Sequence, residues 1–421
     1  MPSVEKVGTT LEESAMTHYR FEDGDMEETD PRFPSAAAHA HQWRRRAYCL
    51  CREPPPEMYV AHVNGRFLVK RMPNSGHRHA VTCPSHEAPA TLSGLGELLG
   101  EAIEIRPDEG CTVLRMEFPL SRKRSRPGAT GPLGSMPQVT VRASRRGLTL
   151  RAFLHYLWTE ARLHRWYPAM AGKRGWYVVR KYLLRAAEDK RVKARELADF
   201  FYVPEVFNMD GQTAVQQRRR ALFEQGREPL RSCAGFLLAI GELKCIDAAR
   251  TGYKLVLKHT PDCPFLLHES LVERLRRRFT REFDMWTGFD DVHLIGCFTF
   301  SIKESGLPLV EEMCLMTVTA QWLPFGRDDE RALLNALVSQ GRAFEVCLRY
   351  NLADDRQVPL AVLLDSAEPY ALHIIAEPTP KGLACIEADC AQHGYRSWLW
   401  ASSAESMPAL PPARDDLVSA N

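Results

Sequence analysis

The 421-residue chain has no run of about 18 apolar residues, the length a helix needs to cross a bilayer. Its N-terminus, MPSVEKVGTTLEESAMTHYRFEDGDMEETD, lacks the apolar core of a secretory signal, so a cytoplasmic protein without membrane association is expected. Neither sign of charge dominates: 55 Lys and Arg stand against 53 Asp and Glu, for a net charge of +2. Any affinity for nucleic acid must therefore come from local clusters and not from bulk charge. Catalytic signatures are missing as well. GLGELLG has glycines but is neither a P-loop nor a G-x-G-x-x-G behind a strand, and no G-x-S-x-G or H-E-x-x-H occurs. No internal repeat is present.

What is present is enough apolar material, 45% of residues, for two or three folded units. Ten of the twelve cysteines stand singly in apolar surroundings, as in LIGCFTF and FEVCLRY, and read as buried reduced thiols. Cys49 and Cys51, in YCLC, are the exception. Downstream, GHRHAVTCPSH packs His77, His79, His86 and Cys83 into eleven residues. Between the two stretches, MYVAHVNGRFLVKRMP reads as a hairpin turning at Asn64-Gly65, which returns the second half toward the first. Zinc bound by Cys and His takes four ligands in a tetrahedron, normally as two pairs brought together by a turn. Cys49, Cys51, His79 and Cys83 are the expected ligands, with His77 and His86 as competitors of His79. All four positions are then filled by protein, so the site is expected to be structural.

Composition and periodicity divide the rest. A disordered acidic lead-in covers 1–36, the zinc-binding module 37–91, and a β-rich segment with a basic loop 92–147. A helical basic segment covers 148–230, an α/β domain 231–405 and a disordered tail 406–421. In the helical segment, LTLRAFLHYLWTEARLHRWY, GWYVVRKYLLRAAEDKR and KARELADFFYVPE are read as three helices, the last halted by Pro204. The expected fold is α+β: a zinc-ribbon-like module, a helical middle and a mixed α/β C-terminal domain.

Two resemblances add to this. CLC followed by MYVAHVNGRFLVKRMPNSGHRHAVTC, and further on GLTLRAFLHYLWTEARLHRWYPAMAGKRGWYVVRKYLLRAA, resembles a bacterial family known only as domain-of-unknown-function family 1173, from about residue 45 to about residue 400. The resemblance implies a setting in integrative and conjugative elements, supports the two-part metal site and supplies no activity. In the C-terminal part, a helix with Glu330, a strand, a strand pair around Asp365 and Glu377 and a closing helix resemble the core of PD-(D/E)xK nucleases. That likeness implies Mg²⁺ held by two carboxylates, because the ion wants hard oxygen ligands. Here Pro359-Leu360 stands where the motif has Pro-Asp, and His373 stands at the second carboxylate position. Asp365, Glu368, Glu377 and Lys381 remain nearby, but leucine ligates no metal, so no catalytic residue is assigned and a non-catalytic nuclease-like domain is expected.

From Phe118 to Thr159 there is no acidic residue, and SRKRSR supplies Arg122, Lys123, Arg124 and Arg126. The basic run continues through Lys173 and Arg174 among Trp158, Trp166, Tyr167 and Trp176. Guanidinium groups neutralise phosphates and flat rings stack on bases, so DNA is the expected partner, with the tryptophans themselves read as core. The sequence thus reads as a DNA-associated protein of mobile elements with a structural zinc site. An active metal-dependent nuclease and a protein-binding scaffold are the alternatives.

Overall fold

The computed structural model describes residues 17–120, 147–208, 211–227, 235–353 and 356–414. The chain opens with β1 (His18–Phe21), β2 (Gly24–Glu27), α1 (Phe33–Gln42), β3 (Ala47–Cys49), β4 (Glu57–Val63) and β5 (Arg66–Arg71). The strands form an antiparallel sheet in the order β2-β1-β3-β4-β5. The expected hairpin is there: Asn64 and Gly65 turn it with φ of 50° and 75°, the doubly left-handed geometry for which Asn-Gly is suited. The expectation of a disordered lead-in through residue 36 is corrected for residues 18–36, which hold β1, β2 and the start of α1. Tyr19, Phe21 and Met26 point into one core with Phe33, Ala36, Ala37 and Ala40 of α1. Acids of this stretch are ion-paired, Asp25 of β2 across to Arg20 of β1 and Asp30 with Arg32 in the turn before α1.

Next come β6 (Ile103–Arg106), β7 (Cys111–Leu114), α2 (Leu150–Glu160), β8 (Arg165–Trp166), α3 (Trp176–Ala187), β9 (Lys190–Val192), β10 (Arg195–Glu196), β11 (Phe201–Tyr202) and α4 (Gln212–Arg227). Thr149 caps α2 by accepting from the Ala152 N–H. The helix stops at Glu160, short of the expected Tyr167, and Arg162 at φ 54° turns the chain into β8. Trp158, Trp166 and Trp176 are buried core residues, as expected. The third expected helix is corrected to a 3₁₀ turn, Leu197–Asp199, between β10 and β11. Phe200, Phe201, Tyr202 and Val203 are consecutive and all buried, which leaves no polar face for a helix to turn outward.

The following region is β12 (Leu237–Ala248), β13 (Tyr253–Leu257), β14 (Thr260–Leu267), α5 (Glu269–Arg278), α6 (Thr280–Gly288), β15 (His293–Ile302), β16 (Pro308–Val318) and β17 (Pro324–Phe325). β12 pairs with both β13 and β15, β14 runs parallel to β16, and β15 pairs antiparallel with β16. The sheet therefore closes into a five-stranded barrel, β12-β13-β14-β16-β15-β12, with α5 and α6 between β14 and β15 along the chain and with β11 and β17 added beside β12 and β16. That is the connectivity of an OB-fold. Phe265, Phe298 and Phe300 meet edge-on inside it, and Phe223 of α4 plugs one end. The single α/β domain expected over 231–405 is corrected by this barrel, which takes up its first half.

The chain ends with α7 (Asp328–Ser339), β18 (Phe344–Val346), β19 (Ala361–Leu363), β20 (Tyr370–Ile375), α8 (Pro380–Gln392) and β21 (Arg396–Ala401). The sheet order is β21-β20-β19-β18-β8, with β18 to β20 an antiparallel meander and β21 parallel to β20. The disordered tail expected from residue 406 is corrected for residues 406–414, which dock on this sheet. Ala409 O accepts from the Trp398 indole, Pro411 O from Arg342, and the Arg414 N–H donates to Asp365 O.

Candidate metal centre and nucleic-acid face

Cys49 ends β3, Cys51 follows in the turn to β4, and the β4–β5 hairpin carries the chain back to a 3₁₀ turn, Gly76–Arg78, that presents His79 and then Cys83. The return is tight: a Cβ on Gly76 would lie 2.5 Å from the Glu87 Cβ, so only glycine fits there. The Sγ of Cys49, Cys51 and Cys83 and a ring nitrogen of His79 all lie within 4.8 Å of one another. Cys49 Sγ is 3.7 Å from Cys83 Sγ, and His79 Nδ1 is 3.5 Å from Cys51 Sγ and 3.7 Å from Cys83 Sγ. Zinc at its usual bond lengths gives tetrahedral edges of about 3.8 Å between sulfurs and about 3.5 Å between sulfur and nitrogen, so the cluster has the dimensions of such a site.

The surroundings suit thiolates. The Ala80 and Ser85 N–H groups donate to Cys51 Sγ and Cys83 Sγ, each at 3.4 Å. Cys83 is drawn down to about 4, first by the Cys49 thiol and then, against burial, by His79 and the Ser85 N–H. Cys49 is pushed up by the same hydrogen bond and by burial. Alone, the pocket thus stabilises one thiolate. A divalent cation among the three sulfurs would hold them all as thiolates. Cys49, His79 and Cys83 are buried and Cys51 half-buried, with all four corners of the tetrahedron supplied by protein, which is the closed geometry of a structural site. Of the competing histidines, His77 is exposed and outside the cluster, and His86 is buried beside it with its pKa down to about 4 through desolvation.

A band of buried charge ties this module to the rest. Lys70 of β5 pairs with Asp189, whose other oxygen accepts from Lys190 at 2.7 Å, and Lys190 reaches Glu160 of α2 at 2.8 Å. Arg71 pairs with Glu87, and Arg165 pairs with Glu345 of β18 at 3.0 Å.

The expected nucleic-acid residues divide. Arg122, Lys123, Arg124 and Arg126 lie outside the described residues. Lys173 is exposed. Arg174 is turned inward: it donates to the carbonyls of Leu163, Gln321 and Arg165, stacks on Trp166 and is pushed down to about 10 by burial. Its charge is spent on the fold, which corrects its assignment to phosphate contact.

A face that sequence reasoning missed lies on the barrel. Leu294 through Phe300 of β15 are nearly all fully buried, so both sides of that strand are covered, and α2 packs across β15 and β16. β13 instead alternates: Leu255 and Leu257 point in, while Lys254 and Val256 are half-exposed, as are Pro264 and Leu266 on β14. Exposed Lys244 and Arg250 flank this wall on one side, and exposed Lys303 and Leu307 belong to the loop between β15 and β16. The alternation was legible in the sequence, but the strand pairing that gathers these residues was not.

At the C-terminal sheet, the two positions that disfavour catalysis are buried: Leu360 precedes β19 and His373 lies within β20. Asp365 accepts from Arg342 at 2.8 and 3.0 Å and from the Ala343 N–H at 2.8 Å, a structural ion pair. Glu377 and Lys381 are exposed beyond the strand end. Among the described residues, the Cys₃His group is the one cluster of three or more side chains placed to hold a metal ion, and no helix is long and apolar enough to cross a membrane. Neither the curated proteins nor the solved structures contain a match to this chain. The model of one family, protein of unknown function DUF1173, does match, over residues 19–403, and the chain belongs to that family.

Proposed function

We propose that the protein is a DNA-associated factor of integrative and conjugative elements, built from a zinc-held module, a strand-binding barrel and a nuclease-like scaffold that does not cut. The observation that carries the reading is the β13–β14 wall, where Lys254, Val256, Pro264 and Leu266 are half-exposed, with exposed Lys244, Arg250 and Lys303 around it. Strand faces of this kind take an extended single strand, with apolar side chains under the bases and cations along the backbone. The fold alone does not make a function, so the reading stands on these residues and not on the barrel topology. The helix–three strands–helix–strand order of the last unit supports the nuclease-like part. Buried Leu360 and His373 and the neutralised Asp365 speak against Mg²⁺ there. The metal at Cys49, Cys51, His79 and Cys83 is zinc in this reading, and it supplies fold stability.

Affinity for single- and double-stranded DNA, with and without Mg²⁺, tests this. Single-stranded DNA should bind more tightly the lower the salt, and replacing Lys244, Arg250 and Lys254 together by Ala should weaken it. Cleavage on adding Mg²⁺ would establish the nuclease alternative, and absence of DNA binding at low salt would leave the protein-binding scaffold.

A further inference from the structure

The end of α1 carries two features that its own fold does not call for. Trp43, at the helix C-cap, is 62% exposed, although tryptophan is among the side chains that gain most from burial. Arg44, the next residue, has φ 52°. Its N–H donates to His41 O at 3.2 Å and the Arg45 N–H to Ala40 O at 2.8 Å, the paired hydrogen bonds of a Schellman motif. The left-handed residue of that motif is usually glycine, because a Cβ makes the conformation costly. Here it is an arginine. A position where backbone chemistry favours glycine and the chain keeps a long cation points to a use for that cation.

The surroundings say what the use is. Arg44 and Arg45 are exposed and Arg46 half-exposed. Among the described residues Arg45 pairs with Glu22 at 3.1 Å, and no such pair holds Arg44 or Arg46. The same helix end carries two separate ring groups: His39 lies 6.4 Å from Trp43, while His41 lies 5.4 Å from Phe67, on which His62 stacks at 4.6 Å. We infer that the α1 terminus is a contact for single-stranded nucleic acid, in which an unpaired base stacks on the Trp43 indole while Arg44 and Arg46 neutralise the flanking phosphates. Every base has a face to stack, and guanidinium groups match phosphate oxygens in pairs. An acidic peptide would use the cations but leave the indole without a partner. The contact depends on the metal centre, because Ala36, Ala37 and Ala40 of α1 share one core with Cys49 and Cys83.

The inference rests on the nucleic-acid reading above and adds to it a second, separate contact. The test is fluorescence anisotropy of the full chain with a labelled single-stranded oligodeoxynucleotide, the oligoribonucleotide of the same sequence, and the duplex. Zinc content and thermal unfolding are followed in parallel. Trp43→Ala should weaken single-strand binding about tenfold. Arg44→Gly should do so while leaving thermal stability unchanged or raised, since it relieves the left-handed backbone, and should flatten the salt slope by about 0.7 for the one phosphate it no longer neutralises. Trp43→Phe should recover most of the affinity. Parent-like affinity in both Trp43→Ala and Arg44→Gly overturns this contact alone. A parent that binds none of the three nucleic acids overturns the functional reading along with it, and binding of polyglutamate in their place assigns the patch to acidic protein.

Discussion

Residues 18–91 bury a small cluster, in which Tyr19, Phe21, Phe33, Met58 and Val60 are joined by three alanines of α1 and by Cys49 and Cys83. The barrel packs Leu243, Leu255, Leu257, Phe265, Phe298, Phe300 and many others into a core continuous with α2 and α3. Small units bury too little apolar surface to offset the entropy of ordering their chain. The barrel strands run to 12, 10 and 11 residues and close on themselves, so hydrophobic packing and pairing suffice. The N-terminal module has the short strands HYRF, GDME and AYC, and its candidate metal ligands stand inside its core rather than on its surface. The lesson is that a metal held by these four residues would reinforce the unit whose own core is small, while the barrel rests on a large hydrophobic core.

Removing the metal should break that comparison most sharply. Structural zinc contributes about 10 kcal/mol in small modules at neutral pH, so chelation or Cys83→Ser should unfold residues 18–91. Limited proteolysis is expected to cut within that region and to spare 235–401, and elemental analysis should give about one zinc per parent chain. Protein purified without chelator that holds no metal, yet resists protease throughout, would end the zinc reading.

The joint between the two regions comes next. Lys190 is buried between Asp189 and Glu160 while Lys70 of the N-terminal module shares Asp189, so one carboxylate serves both sides. Burial opposes ionisation of Asp189, yet Lys190 and Lys70 overcome it and hold the carboxyl down to about 2. Lys190→Ala leaves two buried carboxylates facing one lysine and should cost about 3–5 kcal/mol by denaturant unfolding. If the module and the barrel then unfold together and earlier, the band couples them. A loss confined to one region would mean that they are joined by the chain alone.

How much of this was readable beforehand follows from which interactions are local. The Asn64-Gly65 hairpin and the spacing of Cys49, Cys51, His79 and Cys83 are short-range patterns, and the structure brings those four residues together. The burial of Trp158, Trp166 and Trp176 was likewise readable from residue type, since tryptophan usually buries most of its area. The barrel was not, because closure depends on β12 pairing with β15 more than fifty residues away and on one parallel bridge, Leu266 to Leu309. Period-2 alternation tells a strand from a helix but does not name its partner. KARELADFFYVPE misled for a related reason: its first half has helix-forming residues, and tertiary burial of Phe200 to Val203 overrides them. Arg174 misled because a guanidinium that caps three carbonyls has the same sequence signature as one that meets phosphate.

Acid should separate the two regions with a smaller effect. Glu242 of β12 is buried and accepts from His293 Nδ1 at 2.8 Å and Lys258 at 2.9 Å, with His259 at 3.6 Å. Burial raises its pKa, but the hydrogen bonds from His259, His293 and Lys258 outweigh that and hold it well below the usual range. A carboxyl whose folded pKa is depressed contributes stability above its unfolded value, about 4.3, and loses it as pH falls through the folded one. Glu242→Gln should therefore lower stability by about 1–3 kcal/mol at pH 7 and flatten the decline below about pH 4. The metal module should fail at higher pH than this, because protons compete with the metal for three thiolates and an imidazole. A variant with the parent's acid profile would show that the His–Glu–Lys group does not govern the barrel's acid limit.

The smallest structural effect, and a direct probe of which region meets DNA, is expected from SRKRSR. The described chain leaves at Leu120, whose carbonyl accepts from the Phe236 N–H at 2.8 Å, one residue before β12 begins. Leu237 in turn pairs with Phe300, near the end of β15 and the loop holding Lys303 and Leu307. The described chain thus ends, before the basic segment, beside the start of β12 and the end of β15. Replacing Arg122, Lys123, Arg124 and Arg126 together by Ala should leave thermal unfolding within about 0.5 kcal/mol of the parent, as substitutions away from packed features do. It should flatten the salt dependence of duplex binding by about 0.9 for each phosphate no longer neutralised, without changing sequence preference, because phosphate contacts position and do not read bases. Unchanged affinity and slope would remove the segment from the binding surface. The remaining affinity would then have to divide between the barrel wall and the end of α1, and Trp43→Ala in the same fourfold background would measure that division.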